Sequence, residues 1–317
     1  MKRREFLKKS GQALTFAAAT GAVGAFFHNR DPFNYHPHLS GTTEFGIAAD
    51  STYPGLTLAK DSDHVAALNK ALDAIGGIKR FVKPGERVTI KPNIGWDRTP
   101  EQAADTNPLL VGEMVRLCKE ANASRVIVTD ITCHDPRRCF LRSGIRDSAE
   151  KAGAEVILPD DKDLLNIDLQ GELLTEWPVL KYFIETDRFI NMPIVKHHSL
   201  SACTIGMKNL YGVLGGRRHQ LHQSIDQSIV DLAAYFRPTL IVVDATRVLF
   251  RNGPTGGSLD DVLIADSVIC STDQVAADSR GAEFMSLTGE KVGHIVLAEK
   301  RGLGKIDYRS AGYKEIL

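Results

Sequence analysis

From Arg87 onward the chain alternates short β-branched runs with amphipathic stretches, and that order constrains the fold more than any other feature. Arg87-Val88-Thr89-Ile90-Lys91 reads as a strand entered through the Lys83-Pro84-Gly85 turn and stopped at Pro92-Asn93. A polar loop over residues 95–106 leads to a helix with Leu110, Met114 and Leu117 in register. Residues 125–130 form the next strand, residues 146–152 a helix, and residues 155–158 a third strand. Strand–helix–strand–helix–strand order argues for a doubly wound α/β fold, with a mostly parallel sheet and helices on both faces.

The flanks extend the same plan. Residues 45–49 read as a first strand, followed by a helix with Val65, Leu68, Leu72 and Ile75 on one face. Asp61-Ser62-Asp63 supplies its N-cap chemistry and Gly76-Gly77 ends it. Residues 160–187 are mixed and acidic, which suits a small hairpin insertion. Residues 188–195 read as another buried strand, and Ile225, Ile229, Leu232 and Phe236 mark a helix. Residues 239–244 are the clearest strand, followed by one near Val262-Leu263-Ile264 and a helix over 273–284. A mixed polar tail closes the chain, and one domain is expected over residues 43–317.

Charge excludes some functions. Lys plus Arg equals Asp plus Glu, at 39 each, so no global field gathers nucleic acid or a membrane surface. The N-terminus carries an address instead. Arg3-Arg4-Glu5-Phe6-Leu7-Lys8 matches the twin-arginine export pattern and precedes an Ala- and Gly-rich run from Ala13 to Phe27. That run is shorter than the ~20 residues a membrane span needs, so no stable transmembrane span is expected. Val23-Gly24-Ala25 offers a cleavage site, with retention as an anchor the open alternative. Residues 1–27 thus read as a signal, 28–42 as a linker, the twin-arginine translocase as a partner, and the destination as periplasmic or secreted. This route carries folded proteins, which suits a bound cofactor.

Five cysteines stand at 118, 133, 139, 203 and 270, with no CxxC pair. Zinc fingers and ferredoxin-type iron–sulfur clusters need close ligand pairs, so both are disfavoured. Cys133 and Cys139 could form a disulfide after export; Cys118 and Cys270 read as core.

Polar clusters sit at the expected strand ends, where parallel α/β sheets bind ligands. They are Lys91-Pro92-Asn93, Asp130 to His134, Lys196-His197-His198 and Asp244 to Arg247. In extended chain, His198 and Lys196 share a side by period two. Residues 204–212 look like a loop entering a short helix that Thr204 could cap, with free N–H groups and Lys208 and Asn209 beside an anion. Burial could lower the pKa of Lys208 and make it a nucleophile or carrier. Arg217, His219 and His222 follow in a Gly-Gly-Arg-Arg segment; His219 and His222 would share a helical face and could chelate a metal with His198. Asp244 or Asp130 would orient a histidine, and Gly253 and Gly256 would bring backbone close to a ligand.

Together these landmarks resemble the family called domain of unknown function 362, whose members are sometimes fused to iron–sulfur modules. The match runs through Lys91-Pro92-Asn93, Asn191-x-Pro193-x-x-Lys196-x-His198, Lys208-Asn209-x-x-Gly212, His219, Asp244, Gly253-Pro254-x-Gly256 and Asp273-x-Val275-Ala276-x-Asp278. A fainter similarity, Gly206-x-Lys208 with one of His198, His219 or His222, points to the lactate racemase family. That likeness implies a nickel–pincer nucleotide carried by the lysine, with histidines as metal ligand and acid–base pair.

The expectation is an enzyme acting on a small carboxylate or phosphate. His198, Lys208 and His219 would be catalytic, and a metal would sit on His198, His219 and His222. Lys91, Asn93, Lys196, Asn209, Arg217, Asp244, Gly253 and Gly256 would bind the ligand. The alternative is a non-catalytic binding protein for such an anion or for a metallocofactor.

Overall fold

The computed structural model describes residues 43–48, 50–310 and 312–317, so the signal and the linker lie outside the described residues. The strands used below are β1 (Leu56–Lys60), β2 (Arg87–Pro92), β3 (Arg125–Val128), β4 (Glu155–Val156), β5 (Leu164–Asp168), β6 (Glu176–Leu180), β7 (Arg188–Met192), β8 (Ile194–His198), β9 (Ala202–Thr204), β10 (Leu240–Leu249), β11 (Val262–Ser271) and β12 (Tyr313–Ile316). The helices used below are α1 (His64–Ala74), α2 (Pro108–Glu120), α3 (Pro136–Arg142), α4 (Ile145–Lys151), α5 (Gly206–Asn209), α6 (Ile225–Tyr235), α7 (Gln274–Ala282) and α8 (Gly293–Lys300).

The main sheet runs β12-β1-β11-β10-β7-β2-β3-β4. Only β11 opposes its neighbours along this path; the other adjacent pairs are parallel. The chain is therefore an α/β fold with a mostly parallel sheet.

Period-two burial makes it two-sided. Along β10, Ile241, Val243 and Ala245 enter one core with Phe189, Ile229 and Val275. Leu240 and Val242 enter the other with Ile90, Leu110 and Met114. Helices α6, α7 and α8 cover the first face, and α1, α2 and α4 the second. Asp63 starts α1 by accepting from Val65 N and Ala66 N, and Asp273 caps α7 the same way; removing such a cap costs about 1 kcal/mol.

Adjacent strands β2 and β7 send the chain to opposite faces. After β2 it passes through α2 to β3, and after β7 it passes through α6 to β10. This is the switch point where a crevice opens beyond the carboxyl ends. Pro193 divides the expected strand over 188–195 into β7 and β8, because it has no N–H for the ladder. The β5–β6 hairpin lies where the acidic insertion was expected and bridges to Leu214 through Val179.

Three expectations change. Residues 45–48 carry no strand; the main sheet's first strand in chain order is β1, which lies inside the edge strand β12 and buries Leu56, Leu58 and Ala59. The polar tail holds α8, with Ile295 and Ala298 in the core, and β12 beside β1. Cys133 and Cys139 are both free thiols, one exposed and one buried.

Candidate functional site

A cavity of about 310 Å³ opens at the switch point. Lys91 and Asn93 reach it from the end of β2, Asp130 and Cys133 from beyond β3, Lys196 and His198 from β8, and Lys208 and Asn209 from α5. Trp96, Leu200, Tyr211, Arg218, His222 and Pro254 complete much of the wall.

The floor is a closed polar network. Lys91 is fully buried, with its Nζ 2.7 Å from Asp130 Oδ1 and 3.2 Å from Asn209 Oδ1. Asn209 Oδ1 also accepts from Asn93 Nδ2, and Asn209 Nδ2 donates to Asn191 Oδ1, both at 2.8 Å. Asn93 Oδ1 accepts from Lys196 Nζ at 2.8 Å, and Ala104 O accepts from the same amine. Each amide thus has one allowed orientation. Gly212 lies against this floor: a Cβ there would stand 1.8 Å from Asp130 Oδ1 and 2.6 Å from Lys91 Nζ. Burial lowers the proton affinity of Lys91 and Lys196 and raises the pKa of nearby Asp105, which accepts from Gly95 N and Trp96 N.

Lys208 is different. Its Nζ stands 3.5 Å above the Tyr211 ring centroid, and no hydrogen bond or carboxylate partner meets it among the described residues. Burial lowers its pKa to about 7, helped by the positive charges of Arg218, Lys196 and Lys91. Arg218 donates to the carbonyls of Ile131, Tyr211 and Thr132, which hold its guanidinium without neutralising it.

The expected anion site at the start of α5 is already filled. Asp278 Oδ1 accepts from Gly206 N at 2.6 Å and Oδ2 from Met207 N at 3.0 Å. Thr204 is not the cap; it pairs with Lys196 in the β8–β9 ladder. Asp278 therefore fixes the helix that carries Lys208 and takes up the N–H groups at that helix end.

His198 is buried, and its Nδ1 accepts from Leu200 N at 3.2 Å and Ser201 N at 3.4 Å. Burial and the Lys208 charge lower its pKa to about 3. The ring is therefore neutral, and its proton sits on Nε2. His197 points away from the cavity, with Nδ1 3.2 Å from Gly253 O.

Several expected site residues fall elsewhere. Arg217 and His219 are exposed and do not line the cavity; Arg218 and His222, one and three positions on, do. A 3₁₀ turn over Arg218–Ser224 sets this phase, which the run of polar residues leaves ambiguous. Asp244 is buried beneath the rim and orients no histidine: it accepts from Asn107 N, Thr246 N and Thr246 Oγ1. Asp130 pairs with Lys91 and accepts from Ile94 N rather than serving a histidine. Gly253 and Gly256 shape the adjoining loop while Pro254 lines the cavity. A Cβ on Gly253 would come within 2.1 Å of His197 O.

The metal set His198, His219 and His222 does not assemble. His219 is exposed outside the cavity, and His198 and His222 lie with near-parallel rings, centroids 6.1 Å apart and 7° between planes. His198 Nδ1 is taken by backbone donors, and His222 Nδ1 faces His219 O at 3.0 Å. No group of three His, Cys, Asp or Glu suited to a metal occurs among the described residues. These donors do not fit a metal held by the protein.

The model of a family described as domain of unknown function (DUF362) matches residues 88–283, nearly the whole span from β2 to α7. The chain belongs to this family. A curated relative, the thylakoid-associated protein sll1697 of Synechocystis sp., is 25% identical over 254 residues, covering 75% of each chain. Among solved structures, the lactate racemase apoprotein from Thermoanaerobacterium thermosaccharolyticum aligns at a TM-score of 0.44 and 13% identity. A structural-genomics protein from Thermotoga maritima aligns at 0.37 and 11%. Each alignment covers 75% of this chain, which spans 58% of either structure. No helix among the described residues is long and apolar enough to cross a membrane.

Proposed function

We propose that this DUF362 chain is an exported enzyme whose cavity binds a small carboxylate or phosphate and transfers a proton to it. The observation that carries the proposal is Lys208: a buried amine facing a cavity, surrounded by cations and lacking a carboxylate partner. An isolated buried charge is costly, so the free site holds this amine close to neutrality. An anion beside it reverses the balance and draws a proton onto Nζ. That proton can then pass to the bound molecule, since a pKa near the working pH suits general acid–base transfer.

The other groups divide the work. Arg218 contributes positive charge to the cavity wall, and Lys196 holds the floor through Asn93 and Ala104 O. His198 offers Nε2–H as a fixed donor to a ligand oxygen, and its low pKa keeps it from competing for the proton. The amide network over Asn93, Asn191 and Asn209 holds the floor rigid while charge develops above it.

Calorimetric titration of inorganic phosphate and acetate at pH 8, in two buffers of different ionisation heat, tests the binding step. Proton uptake on binding in the native chain, and at least tenfold weaker binding in Lys208→Met, are expected. Absence of anion binding, or a Lys208→Met variant that binds equally well, overturns the proposal. Turnover of a carboxylate or phosphate substrate panel tests the chemical step, and binding without turnover would make the chain an anion-binding protein instead. Export rests on Arg3-Arg4 and is checked separately by fractionating cells that express an Arg3→Lys, Arg4→Lys variant.

A further inference from the structure

The cavity is larger and less polar than a bare anion needs. Its 310 Å³ corresponds to about ten waters at ~30 Å³ each, and phosphate or acetate would fill only part of it. Trp96, Ile131, Leu200 and Pro254 share the lining with the charged groups, side chains with little to offer an oxyanion.

Two of these are held in place while remaining open to the cavity. Leu200 is 59% exposed, and its N–H is tied to His198 Nδ1, so the donor ring and the bare leucine are presented together at the mouth. Trp96 is half-buried; its N–H donates to Asp105 Oδ1 at 3.0 Å, and its ring meets His134 edge-on with centroids 4.8 Å apart. Both are preorganised apolar surfaces beside a cationic site, an arrangement that rewards a ligand with matching halves.

We propose that the ligand is an amphiphilic anion: a carboxylate or phosphate head at Lys208, joined to a flat apolar body that packs against the apolar lining contributed by Trp96 and Leu200. This rests on the anion-binding reading above and narrows its substrate class. Aromatic rings suit the site best, because a ring covers Trp96 with favourable offset or edge contacts in addition to area burial.

The full chain is titrated with matched probes: inorganic phosphate against phenyl phosphate, acetate against phenylacetate, and benzyl alcohol as the neutral body alone. Phenyl phosphate and phenylacetate should bind at least tenfold tighter than their bare heads, and benzyl alcohol should bind at least a hundredfold more weakly than phenylacetate. Leu200→Ser, at an exposed position that leaves folding intact, should reduce the aromatic advantage to under threefold without changing phosphate affinity. Trp96→Ala should do the same, with its thermal melt checked alongside.

Equal affinity for phosphate and phenyl phosphate, with both lost in Lys208→Met, overturns this inference and leaves the anion site standing. An aromatic advantage untouched by Leu200→Ser and by folded Trp96→Ala also overturns it. If no anion binds, or if benzyl alcohol binds as well as phenylacetate, the inference and the reading beneath it both fail.

Discussion

Lys91 and Lys208 face the same cavity, both deeply buried, yet they occupy opposite physical situations. Lys91 meets Asp130 at 2.7 Å and an amide oxygen at 3.2 Å; Lys208 lies over the face of Tyr211 with no hydrogen bond or carboxylate partner among the described residues. The floor of the pocket is satisfied without a ligand, whereas its wall is not. A buried lysine that already has its counter-charge is architecture, and one without it is where a ligand's charge gains most.

Breaking the floor should have the largest effect. Lys91→Met leaves the Asp130 carboxylate buried without its partner, which costs about 3–5 kcal/mol. At roughly 2–4 °C per kcal/mol, the slope for a domain of about 150–250 residues, the thermal midpoint should fall by about 6–20 °C. Gly212→Ala attacks the same pair sterically, and overpacking of this kind costs about 1–3 kcal/mol by urea denaturation. A floor that tolerated both changes would erase the contrast with Lys208.

Lys208→Met should behave oppositely, weakening anion binding at least tenfold with no loss of stability. Its pH signature follows from a folded pKa of about 7, below the ordinary 10.5. Between those values the unfolded chain binds the extra proton, so native stability rises with pH across that window. Lys208→Met should flatten that rise in denaturation curves collected from pH 7 to 10. Anion affinity should move the other way, strongest below pH 7 and falling as pH rises through it.

His198 sharpens the comparison at acid pH. Its folded pKa of about 3 lies below the ordinary 6.5, so stability falls as pH drops through that interval. His198→Gln should make this acid limb shallower, as followed by circular dichroism. Anion titrations from pH 4 to 6 should show no inflection from this ring. The smallest effects belong to Arg217→Ala and His219→Ala. Both side chains are exposed outside the cavity, so stability should change by less than about 0.5 kcal/mol and anion affinity by less than twofold.

What the sequence revealed and hid follows the range of the interactions involved. The alternation from Arg87 onward, the cap at Asp63, and the period-two pairing of Lys196 with His198 are local, and they were legible. So was the gathering of Lys91, Asn93, Lys208 and Asn209, because strand-end clusters in a parallel sheet share a rim. The distant couplings were not. Asp278 reaches the start of α5 across 72 residues, and Asp130 meets Lys91 rather than a histidine. The choice of Arg218 over Arg217 depends on the phase of a 3₁₀ turn that hydrophobic periodicity does not mark. Strand β1 was passed over because Leu56-Thr57-Leu58-Ala59-Lys60 is short and its Thr57 is buried by bonding to Ala71 O.

The ionisation of Lys208 itself is the most direct test. Carbon-13 labelling of lysine Cε, with the Lys208 resonance assigned by its loss in Lys208→Met, allows its midpoint to be followed by NMR. A midpoint near 7 that climbs by at least one pH unit with saturating phosphate is the expected result. A midpoint above 10 that phosphate does not move would contradict the account.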